Sequence, residues 1–265
     1  MTALPRILAQ IVDDVRLRND KRRARVPLHA YDKIPSIGGR SRFLRALAGS
    51  GTTILAECKR RSPSAGRLVQ SEDVLERAQA YRRGGAAALS VLTERDHFHG
   101  SRAQLVRARA AGLPILRKDF ILDEGMVIES AAMGASAVLL IARCLDARTL
   151  LRCAERARQH NLATLIEIHD FSELAPALDA GPNAIGVNAR NLDTMTIDLA
   201  PALELLSRVP RTVLRIAESG VQGPDDVVRA RAAGADSVLV GSALVRSLDP
   251  ESTLREMVEA GRSAS

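Results

Sequence analysis

From residue 53 onward the chain alternates between two kinds of segment. Short runs rich in aliphatic and β-branched residues are each followed by a longer amphipathic run rich in Arg, Glu and Ala. Near-continuous apolar runs of this length are typical of strands in a parallel sheet that is buried on both faces. The predicted strands cover residues 53–59, 87–93, 114–120, 137–142, 164–169, 184–188, 212–219 and 237–242. The predicted helices cover residues 71–83, 102–111, 124–133, 146–159, 172–180, 199–207, 224–233 and 249–261.

Four junctions from a helix into a strand share a glycine followed by small residues. They precede every second predicted strand and read GAAALSVL (85–92), GASAVLLI (134–141), GPNAIGVN (181–188) and GADSVLVG (234–241). Glycine is common just past a helix end. Eight strand–helix pairs with this repeat predict an α/β fold, the (β/α)8 or TIM barrel, for which about 250 residues is usual. A doubly wound open sheet would instead place a Gly-rich phosphate turn after its first strand, where this chain has KRRSPSAG.

The first 50 residues have a different pattern. Their first part is apolar at helical spacing, residues 27–41 read as a loop, and residues 41–50 read as a short helix. We therefore expect one barrel domain over residues 1–265, with residues 1–50 as an N-terminal helical extension. Asp13 and Asp14 interrupt the first apolar stretch, which argues against a secretory signal peptide.

Composition narrows the classes of partner. The net charge of +7 is compatible with nucleic acid or with a phosphorylated small molecule. Aromatic residues make up only 2% and Trp is absent, which disfavours a base-stacking surface, so no nucleic acid is expected. No apolar run approaches the roughly 20 residues that cross a bilayer, so no membrane association is expected. The three cysteines lack CxxC spacing, which favours the reducing cytoplasm.

Two lysines stand out at the ends of predicted strands. Of 38 basic residues only four are Lys, and two of these are Lys59 and Lys118. A lysine can lower its pKa and release a proton, whereas an arginine effectively cannot. Both lysines are therefore acid/base candidates. The alternative is that each ammonium group simply reaches solvent at a strand end.

Other polar residues cluster at the same strand ends. Strand residues two apart share a face. The pairs with this spacing are Glu57 with Lys59, Lys118 with Phe120, Glu167 with His169, Asn188 with Arg190, and Glu218 with Gly220. The carboxyl ends of barrel strands meet at the face that carries the chemistry. Because an unpaired buried charge costs several kcal/mol, convergence of so many charges predicts a functional site.

The following loops indicate the kind of ligand. Glycines at Ser219-Gly220 and Gly241-Ser242 follow the last two strands, the usual phosphate site of this fold. Phe98 and Phe120 follow strand ends and could form a wall for an aromatic ligand. Tight turns and ordinary packing remain open as alternatives. We expect no metal, because the histidines near the site lack ligand spacing, and Cys58 should face the helix layer.

Several segments together resemble the indole-3-glycerol-phosphate synthase family, and the resemblance covers essentially the whole chain. They are ECKRRSPSAG (57–66), LSVLTERDHFHGS (89–101), PILRKDF (114–120), LIEIHD (165–170), IGVNARNL (185–192) and AESGV (217–221). The resemblance implies a lyase of tryptophan biosynthesis that acts without a cofactor. It would convert 1-(2-carboxyphenylamino)-1-deoxyribulose 5-phosphate to indole-3-glycerol phosphate by ring closure, decarboxylation and dehydration.

The resemblance also implies roles for the catalytic residues. Lys118 would protonate the ribulose carbonyl oxygen as the aromatic carbon attacks. Lys59 would contact substrate anions and is a candidate acid for dehydration, with Glu167 as its acid/base partner. Glu57 and Glu218 would hold the lysines charged and oriented.

The same comparison implies the substrate-binding residues. Asn188 and Arg190 would lie near the anthranilate carboxylate and the leaving hydroxyl group. The other implied contacts are Ser62 with the substrate, Phe98 and Phe120 beside the aryl ring, and Ser219, Gly220, Gly241 and Ser242 at the phosphate. The phosphorylated small molecule is the expected partner, and the chain is expected to be a monomer or a weak homo-oligomer.

Two segments depart from the family pattern. DEGMVIES (123–130) replaces an aromatic-containing segment, and Ala189 and Asn191 replace residues of the usual NNRDL. A paralogue that acts on a modified anthranilate therefore remains an alternative. A sugar-phosphate isomerase on the same fold is disfavoured, because its acid/base pair would need a Cys or Asp where Glu57 and Lys59 stand and an Asp at Asn188. A paralogue that only binds phosphate is the third hypothesis.

Overall fold

The computed structural model describes residues 4–27, 29–32, 39–59, 61–62, 66–67, 73–191 and 194–262. Its eight long strands form a closed, fully parallel barrel, in which each strand pairs with its neighbours in the sequence and the last pairs with the first. The barrel strands are β1 (Thr53–Cys58), β4 (Ala88–Leu92), β5 (Ile115–Lys118), β6 (Ala137–Ile141), β7 (Ala163–Ile168), β8 (Ala184–Asn188), β9 (Leu214–Glu218) and β10 (Ser237–Val240). The TIM-barrel prediction is confirmed.

In the described part of the chain, helices lie between successive barrel strands, and three precede the first. They are α1 (Arg6–Arg23), α2 (His29–Asp32), α3 (Arg40–Leu47), α4 (Val74–Arg83), α5 (Arg102–Ala108), α6 (Glu124–Ala132), α7 (Ala147–Gln159), α8 (Leu174–Asp179), α9 (Leu199–Arg208), α10 (Pro224–Ala232), α11 (Ser242–Arg246) and α12 (Pro250–Gly261). Two details differ from the prediction. The expected loop over 27–41 contains α2, and a small antiparallel pair, β2 (Arg61–Ser62) and β3 (Gly66–Arg67), follows β1.

Aspartate and serine side chains begin many of the helices. Asp73, Asp123, Asp146 and Asp198 each accept a hydrogen bond from a backbone N–H in the first turn that follows. Such a cap satisfies a donor that has no partner within the helix and stabilises it by about 0.5–2 kcal/mol. Asp123 opens the DEGM segment, so the departure from the family pattern retains a well-formed helix start.

The barrel interior is filled by alternate residues of the strands. One buried cluster contains the inward residues Leu55, Leu116, Leu139, Leu165, Ile216 and Leu239. Residues of opposite parity, such as Ile54 and Cys58, pack with the helices in a second cluster. Two residues after five of these interior positions, nearer the carboxyl end of each strand, the next inward-facing residues are Glu57, Lys118, Glu167, Glu218 and Gly241. The strand period therefore places these polar residues in one layer above an apolar floor.

The N-terminal helices occupy both ends of the barrel. At the amino end, the α3 residue Leu47 accepts a hydrogen bond from Thr53 Oγ1 at 3.1 Å, and Phe43 of the same helix joins the interior cluster. At the carboxyl end, Ile7, Leu8 and Ile11 of α1 line the mouth. The extension is therefore part of the barrel's packing at one end and of its opening at the other.

Candidate active site

An open cavity lies over the carboxyl ends of the strands. It encloses about 1160 Å³, open solvent included, and α1 forms one side. Its lining includes every predicted site residue except Ser62, whose side chain lies outside the described residues: Glu57, Lys59, Phe98, Lys118, Phe120, Glu167, Asn188, Arg190, Glu218, Ser219, Gly220, Gly241 and Ser242. These predicted residues come from seven of the eight barrel strands or from the loops after them, and β6 adds Leu139 and Ile141 to the lining.

Lys118 lies at the centre, between two buried carboxylates. Its Nζ donates to Glu218 Oε2 at 2.9 Å and to Glu167 Oε2 at 3.2 Å. Asn188 Nδ2 donates to the other oxygen of Glu167, Oε1, at 3.1 Å. Glu167 and Glu218 are only 3% and 1% exposed, so their charges depend on these partners rather than on water.

The surroundings separate the proton affinities of these groups. Burial alone would lower the pKa of Lys118, but the Glu218, Glu167 and Glu57 carboxylates outweigh it and raise that pKa. Burial raises the pKa of Glu218 to about 7; Lys118 opposes this rise and Glu167 adds to it. Burial also favours neutral Glu167, but Lys118 and His169 hold the pKa of that carboxyl well below its usual range. The cluster therefore combines a charged ammonium, a firm carboxylate and a second carboxyl group that titrates near neutrality.

Lys59 forms a second charged group in the cavity, after β1. Its Nζ lies 2.7 Å from Glu57 Oε1 and donates to Ser242 Oγ at 3.0 Å. A side chain at Gly241 would overlap Glu57 Oε1 and lie 3.0 Å from Lys59 Nζ. The glycine between β10 and α11 therefore leaves the space that this ion pair occupies.

The two ends of the cavity differ in character. At one end the backbone of Ser219 and Gly220 adopts consecutive positive φ values of 63° and 84°, close to Gly241 and Ser242. At the other end the rings of Phe98 and Phe120 lie 6.2 Å apart, with an interplanar angle of 39°. The cavity thus has a polar, glycine-rich end and an aromatic end, and Lys118 reaches between them from β5 to Glu218 on β9.

A family model for indole-3-glycerol phosphate synthase matches residues 8–257 of this sequence. The chain belongs to the indole-3-glycerol phosphate synthase family. The synthase of Parafrankia sp. is 41% identical over 262 residues, which span 98% of this chain and 97% of the relative. The synthase of Methanopyrus kandleri is 46% identical over 235 residues, which span 86% of this chain and 91% of the relative. Membership makes the chain a decarboxylating lyase of tryptophan biosynthesis, in a family that acts on a phosphorylated small molecule.

Solved structures outside the family agree in fold alone. A 3-hexulose-6-phosphate synthase superposes with a TM-score of 0.65 at 15% identity, over 79% of this chain and 99% of that one. The enzyme of the same name from Salmonella typhimurium gives a TM-score of 0.65 at 14% identity, over 79% of this chain and 98% of that one. At such identities the likeness supports the barrel and not the chemistry.

Several residues that line the cavity were missed by reasoning from the sequence. Asp119 lines the cavity, accepting from Thr93 Oγ1 at 2.6 Å and from Arg117 Nη2 at 2.8 Å. The α1 side chains at the mouth and Met195 and Ile197 after β8 also line it. The apolar stripe of α1 was visible in the sequence, but its spacing predicts only that one face is covered and not by which part of the barrel.

His97 and Cys58 do not line the cavity. His97 lies in the loop after β4, where its Nε2 is 3.0 Å from Asp14 Oδ2 on α1. Cys58 is buried on the helix side of β1, and burial raises the pKa of its thiol to about 12. Within the described ranges, no three His, Cys, Asp or Glu residues are grouped as a metal site would require.

His169 extends the charged cluster away from Lys118. Its ring is 4% exposed; Nε2 lies 3.3 Å from Glu167 Oε1, and Nδ1 lies 3.6 Å from Glu173 Oε2. Burial lowers the pKa of the imidazole, but the two carboxylates outweigh burial and raise it to about 9. The ring therefore carries its positive charge at neutral pH and helps to keep Glu167 ionised.

This arrangement predicts a pH-dependent contribution to stability. The folded pKa of His169 lies above its ordinary value of 6.5, so the contribution is complete below pH 6.5 and is lost as the pH rises through about 9. We expect His169→Gln to lower the free energy of unfolding by up to about 3 kcal/mol at pH 6, since each pKa unit corresponds to about 1.4 kcal/mol. Urea unfolding at several pH values measures this difference. A difference that stays constant or grows towards pH 9.5 contradicts it, and His29→Gln at an exposed position is the control.

Gly186 of β8 makes room for the central cluster. An added Cβ would overlap Glu218 Oε1 and lie 3.1 Å from Leu165 Cδ1. We expect Gly186→Ala to displace the Glu218 carboxylate from Lys118 and to lower kcat about tenfold, because catalytic groups tolerate little displacement. Steady-state kinetics test this. Gly223→Ala is the matched control, because a Cβ there meets no atom within 4 Å and the backbone is extended. Equal kcat values for the two variants would refute the role of Gly186.

Proposed function

We propose that this chain converts 1-(2-carboxyphenylamino)-1-deoxyribulose 5-phosphate to indole-3-glycerol phosphate, with the roles of its residues as follows. The observation that carries the proposal is the position of Lys118. Its ammonium group lies between two buried carboxylates, at 2.9 and 3.2 Å, and between a glycine-rich and an aromatic end of one cavity. A substrate with a phosphate at one end and an aryl ring at the other, and a carbonyl group between them, matches this order.

Ring closure requires a proton donor at the ribulose carbonyl. Negative charge develops on that oxygen as the aromatic carbon attacks, and a positioned ammonium stabilises it and then transfers a proton. Lys118 supplies this group. Its carboxylate partners keep it protonated until the substrate oxygen offers a better acceptor, and they keep its side chain in one orientation.

The overall reaction takes up one proton in each turnover. The aryl carboxylate leaves as CO2, and its bonding electrons restore the aromatic ring after closure. The former carbonyl oxygen leaves as water, with one hydrogen from the adjacent methylene carbon and one taken from solvent through the site. A cluster in which Glu218 has a pKa of about 7 is suited to take up that proton again near neutral pH.

Dehydration needs an acid for the leaving hydroxyl group and a base for the adjacent carbon. Lys59 is the proposed acid, and its contact with Glu57 at 2.7 Å keeps it charged. Glu167 is the proposed base, because its lowered pKa keeps it ionised beside Asn188. Asn188 and Arg190 would lie near the anthranilate carboxylate and the leaving hydroxyl group.

The aryl ring of the substrate is matched to the aromatic end of the cavity, and its phosphate to the glycine-rich end. Phe98 and Phe120 would flank the aryl ring, and the apolar α1 residues Leu8 and Ile11 would cover it. Ser62 would also contact the substrate. The residues proposed to bind the phosphate are Ser219, Gly220, Gly241 and Ser242. No cofactor is required by this chemistry.

The setting of the enzyme is also proposed. The chain would form one barrel domain with residues 1–50 as its extension, would act as a monomer or weak homo-oligomer in the cytoplasm, and would bind no nucleic acid. No helix in the described part of the chain combines the length and the apolar character needed to cross a membrane.

One assay tests the function directly. Purified protein is mixed with 1-(2-carboxyphenylamino)-1-deoxyribulose 5-phosphate, and indole fluorescence is followed with time. Growth of the indole signal is the expected result. If the substrate binds without any indole product, the chain is a binding paralogue, and the proposed function is wrong.

A further inference from the structure

Glu94 is a buried carboxylate that the chemistry above does not use. It follows β4 by two residues and is 0% exposed. Burying a carboxylate costs several kcal/mol unless hydrogen bonds and opposite charges replace its water. The partners that replace water around Glu94 therefore indicate what the residue does.

Three of those partners are backbone groups of its own loop. Oε1 accepts from the N–H of Asp96 at 3.0 Å. Oε2 accepts from the N–H of His97 at 2.7 Å and from that of Phe98 at 3.1 Å. The backbone carbonyl of Glu94 also accepts from the N–H of Gly100 at 2.7 Å. The loop from residue 94 to residue 100 is thus wound around a single side chain.

The same loop has little freedom to adopt another shape. His99 lies in the left-handed region at a φ of 54°. A side chain at Gly100 would overlap Leu92 O and lie 2.7 Å from Glu94 O. The direction of Phe98 therefore depends on the carboxylate that holds the turn. Its ring reaches the cavity and lies 6.2 Å from the ring of Phe120.

The fourth partner of Glu94 comes from the N-terminal extension. Arg18 Nη2 of α1 lies 3.1 Å from Glu94 Oε1, and the same guanidinium contacts Asp96. His97 Nε2 lies 3.0 Å from Asp14 Oδ2, one turn earlier on α1. Nearer the N-terminus of this helix, Ile7, Leu8 and Ile11 line the cavity. The group that orients Phe98 is therefore also one of the groups that hold α1 against the barrel, beside Asp123 and Glu129.

We propose that Glu94 is a positioning residue for the aryl end of the substrate, where it holds Phe98 in place and, through Arg18, seats α1 over the same ring. This inference rests on the proposed function. It predicts that Phe98 and the α1 face act as one unit, and that loss of the Glu94 charge weakens binding of the aryl ring but not of the phosphate. A residue that only supported the fold would weaken both.

The test compares two inert ligands. One is the reduced analogue, 1-(2-carboxyphenylamino)-1-deoxyribitol 5-phosphate, which fills both ends of the cavity; the other is inorganic phosphate, which fills one. For Glu94→Gln we expect the analogue to bind roughly tenfold more weakly, with KM raised similarly and phosphate affinity unchanged within about twofold. Arg18→Gln, which leaves the backbone hydrogen bonds to Glu94 intact, should weaken the analogue by a smaller factor, and Arg18→Lys should recover part of the loss.

Arg16→Gln is the matched control. Arg16 lies on the same helix with a side chain 60% exposed and pairs only loosely with Asp13 at 3.6 Å. It should leave both affinities unchanged. Equal weakening of both ligands, or none, in Glu94→Gln overturns the inference. If Glu94→Gln fails to fold, an Arg18→Gln variant that binds the analogue as tightly as wild type overturns it instead. Absence of indole product with wild-type protein would count against the proposed function alone, because the binding comparison does not depend on turnover.

Discussion

Replacing Lys118 with alanine should lower kcat by about 10²–10⁴-fold, the usual contribution of a positioned proton donor. Substrate affinity should change little, because the phosphate and aryl ends of the cavity do not involve this side chain. Removal of the ammonium leaves Glu167 and Glu218 without the cation that lies between them. One of them then takes up a proton, since neighbouring like charges raise the pKa of a carboxyl. The fold therefore survives the change, and the loss appears in the chemical step.

A second variant separates charge from proton transfer. Lys118→Arg keeps a cation beside Glu167 and Glu218, but a guanidinium effectively never releases its proton. If Lys118 acts by donating a proton, this variant should be about as inactive as Lys118→Ala. If only its charge matters, much of the activity should return.

Single-turnover fluorescence measures the rate of the chemical step, and binding of the reduced analogue measures the affinity of the site. Lys21→Ala on the exposed face of α1 is the control for loss of a lysine and should retain full activity. An alanine variant of Lys118 that keeps more than about a tenth of the wild-type kcat would remove Lys118 from the mechanism.

The fold was largely predictable because its signal is repeated eight times. Each barrel strand is buried on both faces, so its apolar run is continuous and its limits are sharp. The predicted strand over 184–188 agrees with β8, and the predicted strand over 53–59 exceeds β1 by a single residue. The inward-facing charges were predictable for the same reason. A period of two places Glu57, Lys118 and Glu167 directly above interior leucines, whatever the helices outside do.

Other features depend on contacts between distant segments, which a local pattern does not contain. Arg117 belongs to the predicted strand over 114–120, but its partners were not predicted; among the described residues it is the largest fully buried side chain. The role of Glu94 depends on Arg18, 76 residues earlier. The short helix α2 was missed because its four residues are too few for a periodic signal. For Arg117 and Glu94 the partner, and not the residue itself, determines the structure.

Arg117 also gives the largest expected change in stability. All three nitrogens of its guanidinium group donate hydrogen bonds inside the protein, to residues that follow β4 and β5 and to residues of α6. Nη2 donates to Asp119 Oδ2 at 2.8 Å, Nε to Thr93 Oγ1 at 3.1 Å, and Nη1 to Met126 O and Ser130 Oγ, both at 3.0 Å. Arg117 therefore fastens the strand that carries Lys118 to the helix that follows it.

We expect Arg117→Met to lower the free energy of unfolding by about 3–5 kcal/mol, the usual effect of removing one partner of a buried ion pair. Methionine fills similar space, so the loss comes mainly from the Asp119 carboxylate, which remains buried without its cation. The double variant Arg117→Met/Asp119→Asn should then be more stable than Arg117→Met alone. Urea unfolding of the two variants and wild type measures both effects, with Arg45→Met at an exposed position as the control, expected within about 0.5 kcal/mol of wild type.

The same variant connects stability to catalysis. Asp119 Oδ1 accepts the backbone N–H of Phe120 at 2.9 Å, so the carboxylate that Arg117 holds also orders the residues on either side of it, Lys118 and Phe120. Arg117→Met should therefore lower kcat in folded protein, although Arg117 does not line the cavity. If the variant loses less than about 1 kcal/mol of stability and keeps full kcat, the buried ion pair is not what holds the catalytic strand in place.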